Sequence, residues 1–499
     1  MIPIGSLTGW LLIVAIAVNA VIITVTAFTI GHNRRPTTAV AWLLTIGLIP
    51  YVGLLLFFLF GTNRLPRKRR AKQAEFNDIL LESTALLEDA GAVSPVPDRY
   101  APVATLAREL TAIPVLAHNR LTIRTDYDPT ITAMADEIDR AEQYVHLLFY
   151  AFAADEVTEP VLAAIERAVA RGVAVRVLYD QIGSIRYRGY ARMKRRLRES
   201  GCEWHRLYSI WPWSGNGWQR VDLRNHRKLL VVDGRVGWMG SQNLIERGYH
   251  RRPRRDGSRL LWKDLMVRVE GPMALGIDAV FRSDWYAETG ELPADGDDPE
   301  LLDFARWRAL EEPGTRSYDC QLVPSGPGYE HENNLRLFVQ LLYQAREQVV
   351  IASPYFAPDD SMLYAMTTAA QRGVDIELHV SEQGDQFFTQ HAQQSYYEAL
   401  LRAGVRIWLY RRPYVLHSKH MTVDNEVTLV GSSNMDMRSF TLNAEMMMIV
   451  YGPDFAERMR EVELRYRAKS RELTLEQWLA RPRWQAALDD LARLTSVVQ

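Results

Sequence analysis

Two segments of this 499-residue chain repeat one order of chemically active side chains. Residues 225–243 read NHRKLLVVDGRVGWMGSQN, and residues 416–434 read LHSKHMTVDNEVTLVGSSN. Both contain His-x-Lys, four residues, Asp, six residues and then Gly-Ser-x-Asn. Because the chain has only 7 Lys against 52 Arg, a lysine at the same place in both copies indicates a chemical role. The candidate site residues are His226, Lys228, Asp233, Ser241 and Asn243 in the first copy and His417, Lys419, Asp424, Ser432 and Asn434 in the second.

The spacing within each copy predicts which side chains lie together. His226 and Lys228 are two residues apart in a β-patterned run, so we expect them on the same face of a strand. Asp233 belongs to the catalytic motif but has the opposite parity, so we expect it to face away and to work structurally. A turn and a returning strand then bring the Ser and Asn of the motif beside the His and Lys. The second copy has the same parity throughout.

This set of groups suits the chemistry of a phosphodiester. Two copies facing each other across a pseudo-two-fold axis form a cationic pocket with two imidazoles. Lysines and amides there stabilise the phosphoryl oxygens, one histidine attacks phosphorus, and the other protonates the leaving alkoxide. The motifs are nearly symmetric and leave the nucleophile open; our working hypothesis is His226, with His417 as general acid and then as base for the incoming alcohol. The lysines supply positive charge and the sequence has no H-E-x-x-H or C-x-x-C, so we expect neither a metal nor a cofactor.

The predicted elements around the two motifs also repeat. Apolar strands over 143–152, 171–180 and 201–208 in the first half correspond to strands over 348–356, 372–380 and 403–410 in the second, with helices between them. This alternation predicts two pseudo-symmetric α/β/α repeats with mostly parallel sheets. We place a connector at 73–115, the first repeat at 116–300 and the second at 301–499.

The first 63 residues have a different composition, with Arg34 and Arg35 as their only charges. The apolar runs 9–30 and 39–60 are each 22 residues long, and such a helix of about 33 Å is long enough to cross a hydrocarbon core. A secretory signal peptide is the alternative, but the first run lacks a basic n-region and is too long for an h-region. We therefore predict a two-helix transmembrane hairpin within 1–72. Its basic collar of six Lys and Arg favours a catalytic domain on the cytoplasmic side.

The duplicated His-Lys-Asp motif resembles that of the phospholipase D superfamily, over roughly residues 115–475. Within that superfamily, the apolar N-terminal segment, the run RNHRK at 224–228 and WKDLMVRVEGP at 262–272 are similar to bacterial cardiolipin synthases. The resemblance implies transfer of a phosphatidyl group from one phosphatidylglycerol to another, with release of glycerol. It also implies a covalent phosphatidyl-histidine intermediate, and membrane lipids as the partners.

Two further acids repeat downstream of the motifs. Asp264 and Glu445 each precede a Gly-Pro pair by seven residues. In the superfamily a downstream acid typically holds the ring nitrogen of the active histidine and fixes its tautomer. By position along the chain, we expect Asp264 to serve His226 and Glu445 to serve His417.

Three function classes agree with these features. The first is a cardiolipin synthase, and the second is a phospholipase D hydrolase or a phosphatidyltransferase that uses another phospholipid donor. The third is a superfamily nuclease, but 59 basic against 60 acidic residues leave no excess charge for a nucleic-acid groove, so we expect no nucleic-acid partner. Two segments near the first motif have open roles, the Trp-rich loop at 208–218 and the Arg-rich insertion at 246–258.

Overall fold

The computed structural model describes residues 4–30, 36–61, 65–76, 93–209, 220, 222–249, 259–293, 316–329 and 331–493. They form a smaller unit, residues 1–64 with 220–222, and a larger unit, residues 65–219 with 223–499. Most of the Trp-rich loop at 208–218, most of the Arg-rich insertion at 246–258 and the predicted repeat boundary at 300/301 lie outside the described residues.

The smaller unit contains the apolar N-terminal segment, whose helices span Ile4–Ile30, Pro36–Leu48 and Pro50–Phe60. The predicted run 39–60 is therefore two helices rather than one. Pro50 disfavours the helical conformation at the residue before it, and Ile49 accordingly has φ −135° and ψ 72°. Within the described ranges we find no helix that combines the length and the apolar character needed to cross a membrane.

The larger unit is built on one 16-stranded sheet among the described residues, with two additional two-stranded sheets. The strands are β1 Leu116–Arg124, β2 Tyr144–Phe149, β3 Ala174–Asp180, β4 Glu203–Leu207, β5 Arg224–Asn225, β6 Lys228–Val232, β7 Val236–Gly240, β8 Leu261–Lys263, β9 Met266–Glu270, β10 Tyr318–Ser325, β11 Gln348–Ala352, β12 Phe356–Ala357, β13 Asp375–Ser381, β14 Arg406–Tyr410, β15 Tyr414–Leu416, β16 His420–Val423, β17 Val427–Gly431, β18 Met435–Asp436, β19 Asn443–Tyr451 and β20 Ser470–Leu473.

Helices follow the strands in both halves of this unit. They span 67–76, Asp98–Tyr100 (a 3₁₀ turn), Ala101–Thr111, Tyr127–Asp139, Glu159–Ala170, Gln181–Ile185, Tyr190–Ser200, Met273–Thr289, Asn333–Gln344, Asp360–Gln371, Phe387–Gln394, Tyr397–Ala403, Met437–Thr441, Pro453–Ala468, Leu475–Leu479 and Arg483–Arg493. The repeated Arg-Gly-Val signal ends one helix in each half. Gly172 and Gly373 there have φ of 87° and 96°, a conformation that glycine adopts without strain.

The strand order is the same in both halves. It runs β10-β19-β17-β16-β11-β13-β14 in one half and β1-β9-β7-β6-β2-β3-β4 in the other, and the antiparallel pair β1–β10 joins them. β20 extends the second half beyond β14. The mixed α/β class and the internal repetition therefore agree with the sequence prediction.

The prediction of mostly parallel sheets is wrong. Within the common strand order of the described halves, parallel pairing is confined to β2-β3-β4 and β11-β13-β14. The motif strands instead form the hairpins β6–β7 and β16–β17, because a turn of three residues connects each pair and parallel strands need a much longer crossover. Those hairpins place four antiparallel strands at the centre of each half.

The strands that carry the motif lysine or follow it are fully buried in the sheet. Every residue of β6 and of β16 is buried, because helices cover both faces. Hydrophobic clusters lie on either side, with Leu229 and Val231 in one and Leu230 and Val232 in another. This rigid layer fixes the direction of the side chains at its edge.

Two short strands cross from one half to the other. β5 pairs in parallel with β19, and β15 pairs in parallel with β8. The backbone N–H of His226 continues the first pairing by donating to the carbonyl of Ala444 at 2.8 Å. The N–H of His417 continues the second by donating to the carbonyl of Lys263 at 2.8 Å. Each motif histidine therefore lies beside the residue that precedes the acid of the other half.

Candidate active site

Both motif histidines hydrogen-bond a buried carboxylate through Nδ1. His226 lies 2.9 and 3.0 Å from the two oxygens of Glu445, and His417 lies 2.6 Å from Oδ1 of Asp264. The pairing predicted from chain position is wrong, since each acid serves the histidine of the opposite half. The physical reason is the crossing of β5 and β15, which the order of residues along the chain does not reveal.

The motif serines hold these acids in place. Ser241 Oγ donates to Asp264 at 2.7 Å, and Ser432 Oγ donates to Glu445 at 2.6 Å. Glu445 also accepts from Ser439 Oγ at 3.1 Å and from the Asn443 amide at 3.3 Å. The serines were predicted to lie beside the His and Lys, and they act on the histidines through the acids. No repeated pattern in the sequence marks Ser439 or Asn443.

The two lysines are more deeply buried than the histidines. Lys228 is 0% exposed and Lys419 is 1% exposed, against 9% for His226 and 5% for His417. Each ammonium donates to the carbonyl of the histidine two residues before it, at 2.7 Å for the second copy. As the spacing predicted, His and Lys of one copy therefore lie together.

Burial and like charges make these lysines unusually acidic. Burial lowers the pKa of Lys419 to about 8 and lowers the pKa of Lys228 well below its ordinary value. The carboxylates of Glu445 and Asp264 oppose the shift in both cases. The charge of Lys419 also disfavours a protonated Lys228, so the two halves form one electrostatic site.

Both imidazoles are neutral in this environment. Burial lowers the pKa of His226 to about 3. The positive charges of Lys228 and Lys419 contribute to this lowering, whereas the negative charge of Glu445 opposes it. Burial and the charge of Lys419 likewise lower the pKa of His417, against the opposing charge of its acid. Because Nδ1 faces a carboxylate, the neutral ring carries its proton there and leaves a lone pair on Nε2.

The acids remain ionised despite their burial. Burial alone raises the pKa of Glu445, but its interaction and hydrogen bond with His226, together with the charge of Lys228, outweigh the effect of burial and bring the pKa below its ordinary value. The same balance lowers the pKa of Asp264. An ionised carboxylate at Nδ1 stabilises an imidazolium at the moment when Nε2 gains a bond or a proton.

The motif asparagines have different surroundings in the two halves. Asn243 accepts from the N–H of Ala151 at 3.1 Å and donates to the hydroxyl of Tyr249 at 2.7 Å. The side-chain oxygen of Asn434 is buried and has no hydrogen-bond partner among the described residues. Tyr249 in turn lies edge-on to the His417 ring at 6.5 Å. Asn243 therefore reaches the site through a tyrosine that the sequence did not reveal.

The motif aspartates do not join this cluster. Asp233 accepts from the backbone N–H groups of Glu142, Gln143 and Tyr144 at 2.8–2.9 Å, at the far end of β6. Asp424 accepts from the backbone N–H groups of residues 346–348, the last of which begins β11, and from Arg99. Their place among the catalytic groups is therefore corrected to a structural role, as their strand parity indicated. Each fixes the start of the strand that pairs with the motif.

A family model described as "Cardiolipin synthase, PLD-like domain" matches residues 134–285 and 338–463. The chain belongs to the cardiolipin synthase family. A second family model, "Phospholipase_D-nuclease N-terminal", matches residues 13–61.

Curated members of the cardiolipin synthase family match the chain over nearly its whole length. Cardiolipin synthase A of Proteus mirabilis is 31% identical over 481 residues, 94% of both chains. Cardiolipin synthase A of Pectobacterium carotovorum is 30% identical over 485 residues, 97% of this chain and 95% of the other. Among solved structures, the phosphatidylserine synthase of Haemophilus influenzae has the same fold, with a TM-score of 0.59 and 14% identity over 79% of this chain and 99% of that one.

The two parts of the cardiolipin synthase match contain the complete site. The first includes His226, Lys228 and Asp264, and the second includes His417, Lys419 and Glu445. Within the described ranges, no group of three or more His, Cys, Asp or Glu side chains could hold a metal ion.

Proposed function

We propose that this chain is a cardiolipin synthase that transfers a phosphatidyl group from one phosphatidylglycerol to another and releases glycerol. The observation that carries the proposal is the pair of crossed His–carboxylate contacts beside two buried lysines. An imidazole with a free Nε2 as nucleophile, a second imidazole that gives and takes a proton, and two lysines that supply positive charge are the groups that a phosphoryl transfer in two steps needs. Family membership supplies the substrate class.

In the first step, Nε2 of His226 attacks phosphorus, and the bond from phosphorus to the glycerol headgroup oxygen breaks. The negative charge of the bound phosphodiester favours a protonated His417, which takes up a proton at Nε2 and gives it to that oxygen, so that glycerol leaves as a neutral alcohol. Lys228 and Lys419 stabilise the negative charge on the phosphoryl oxygens. Glu445 stabilises the cationic ring of the phosphatidyl-histidine that forms.

In the second step, His417 is neutral and takes the proton from a hydroxyl of the acceptor phosphatidylglycerol. The hydroxyl oxygen bonds to phosphorus, the P–Nε2 bond breaks, and His226 returns to its starting form. The neutral state of His226, which its lowered pKa maintains, supports its assignment as the nucleophile. The alternative assignment, with His417 as the nucleophile and His226 as the acid and base, would form and break the corresponding bonds and move the same protons.

The direct test supplies the purified full-length protein with phosphatidylglycerol labelled in its headgroup glycerol and in an acyl chain. We expect cardiolipin and free glycerol in equal amounts. Phosphatidic acid as the main lipid product would instead indicate a hydrolase, and use of phosphatidylethanolamine would indicate another donor. No turnover of any phospholipid would refute the proposal.

We also infer that the N-terminal segment attaches the enzyme to the bacterial cell membrane with the catalytic unit on the cytoplasmic side. Its helices expose large apolar side chains, including Trp10 at 69% and Phe28 at 82%, which water solvates poorly. The basic residues that follow in the sequence, such as Arg67 and Lys68, favour anionic lipid on that side.

Extraction of membranes tests this attachment. We expect the full-length chain to stay in the membrane pellet after washes with high salt and with alkaline carbonate. Release by salt alone would indicate an electrostatic association and contradict an apolar one.

A further inference from the structure

One guanidinium at the site is held by aromatic rings instead of by an acid. Arg186 directly follows the helix Gln181–Ile185, and its Nη2 donates to the hydroxyl of Tyr150 at 3.0 Å. Its Cζ atom lies 5.8 Å from the centre of the Tyr150 ring and 5.3 Å from the centre of the Tyr187 ring. These contacts orient the cation while its side chain stays exposed to solvent.

Tyr150 and Tyr187, which contact this guanidinium, connect it with the two motif histidines through ring contacts. The Tyr150 ring lies edge-on to the His226 ring at 4.9 Å. The Tyr187 ring lies edge-on to that of Tyr249 at 5.8 Å, and Tyr249 contacts the His417 ring. The exposed Arg186 is therefore separated from His226 by one tyrosine and from His417 by two.

Among the described residues, the charge of Arg186 is not neutralised by an ion pair. Within the described part of the chain, no carboxylate forms an ion pair with it at 4 Å or less. Asp180, the acid whose charge acts on it, is occupied by Arg224 at 3.2 Å and by the backbone N–H groups of Gly183 and Asn225 at 2.8 and 3.1 Å. A guanidinium with several free N–H donors is suited to bind an oxyanion.

The second half presents the opposite charge at the corresponding loop. Asp385 follows β13 and accepts a hydrogen bond from the hydroxyl of Tyr355 at 2.6 Å. In the first half, Arg186 follows β3 and donates to the hydroxyl of Tyr150. The charge of Asp385 acts on Lys419, so this carboxylate also faces the site. Among the described residues, the loop after β3 therefore presents an arginine where the loop after β13 presents an aspartate, although the buried groups are nearly symmetric.

We propose that Arg186 binds the phosphodiester of the acceptor lipid while the reacting phosphodiester lies between Lys228 and Lys419. This inference rests on the proposed function. An acceptor phosphatidylglycerol carries its own phosphate three carbons from the hydroxyl that attacks. That phosphate stays intact during the transfer, so the site needs a second cation outside the pair of lysines. Arg186 thereby determines the choice of a phosphate-bearing alcohol over a simple one.

The test compares two acceptors within one reaction. The full-length enzyme is given phosphatidylglycerol vesicles with ethanol present, and the ratio of cardiolipin to phosphatidylethanol is measured. We expect Arg186→Gln to lower that ratio about tenfold, because one charge-assisted contact to the acceptor is lost. Arg186→Lys keeps the charge but lacks the planar set of N–H donors, so its product ratio should lie between those of the wild type and Arg186→Gln. The matched control is Arg188→Gln, which removes an exposed arginine two residues away and should keep the wild-type ratio.

Two results would overturn the inference. One is an unchanged ratio in Arg186→Gln, and the other is an equal loss of both products, which would show that Arg186 only supports the fold. Failure of the wild-type enzyme to form either product would refute the proposed function instead, so the two failures are distinguishable.

Discussion

At the scale of single residues, the crossed acids are the feature with the sharpest consequence for chemistry. A carboxylate that holds Nδ1 of a histidine controls which nitrogen is free to react. Since Glu445 contacts His226 and Asp264 contacts His417, each acid belongs functionally with the histidine of the other half. Variants of the acids should therefore behave in crossed pairs.

We expect Glu445→Gln to share the defect of His226→Ala, and Asp264→Asn to share that of His417→Ala. With His226 as nucleophile, the first pair loses the phosphatidyl-histidine adduct, and the second pair accumulates it because the general base is impaired. The expected loss of kcat is on the order of 10²–10⁴ for each acid. Mass spectrometry of the trapped protein identifies the histidine that carries the adduct.

Two outcomes of that experiment would correct specific assignments. An adduct on His417 reverses the roles of the histidines but leaves the crossed pairing intact. If instead Glu445→Gln shares the defect of His417→Ala, the crossed pairing itself is wrong.

The lysines predict a loss of activity at alkaline pH. The pKa of Lys419 is lowered to about 8, so its ammonium is present below that pH and is lost as the pH rises through it. Because the charged form stabilises the phosphoryl oxygens, kcat/KM should fall as the pH rises through about 8. The profile of Lys419→Arg should lack this fall, since arginine stays protonated, even if its rate is lower. An identical alkaline limb in that variant would assign the titration to another group.

At the scale of secondary-structure elements, the motif aspartates position strands. Asp233 has φ 51° and receives three backbone hydrogen bonds from the residues that lead into β2. Ala at this position loses those bonds and is strained in the left-handed region, whereas Asn tolerates that conformation and still accepts.

We therefore expect Asp233→Ala to lower the free energy of unfolding by about 3 kcal/mol or more, and Asp233→Asn by less. The midpoint of thermal unfolding, followed by tryptophan fluorescence, ranks the stability of the wild type, Asp233→Asn and Asp233→Ala. A variant that melts like the wild type but has lost its activity would restore a direct chemical role to Asp233.

Local patterns in the sequence predicted the secondary-structure elements better than they predicted which strands and which distant residues pair with each other. The opposite parity of Asp233 correctly predicted its separation from Lys228, and the repeated strands appear in the same order in both halves. The parallel sheet and the partners of Asp264 and Glu445 were predicted wrongly. Both errors concern contacts between distant residues, and a strand of two or three residues such as β5 or β15 has no periodicity to announce it.

At the scale of the whole molecule, the crossings make the catalytic unit a single functional body. β1–β10 joins the two halves along the sheet, while β5–β19 and β15–β8 join them at the site. Separation of the halves would break all three pairings and remove both acids from their histidines.

Cleavage between the halves tests this interdependence. A protease site introduced between residues 293 and 316 allows the purified chain to be cut after it has folded. We expect the two fragments to migrate together under native conditions and to keep most of the activity, because the strand pairings survive the cut. Fragments that separate and yet remain active would show that each half holds a complete site.

The crossing of β5 onto β19 also orders events during synthesis of the protein. A ribosome completes His226 and Lys228 more than two hundred residues before Glu445, and the earlier half folds first. Until β19 joins the sheet, His226 has no carboxylate to hold its tautomer. The proposed ability to cut a phospholipid therefore arises only when the chain is nearly finished, so an incomplete product on the ribosome would not yet turn over lipid.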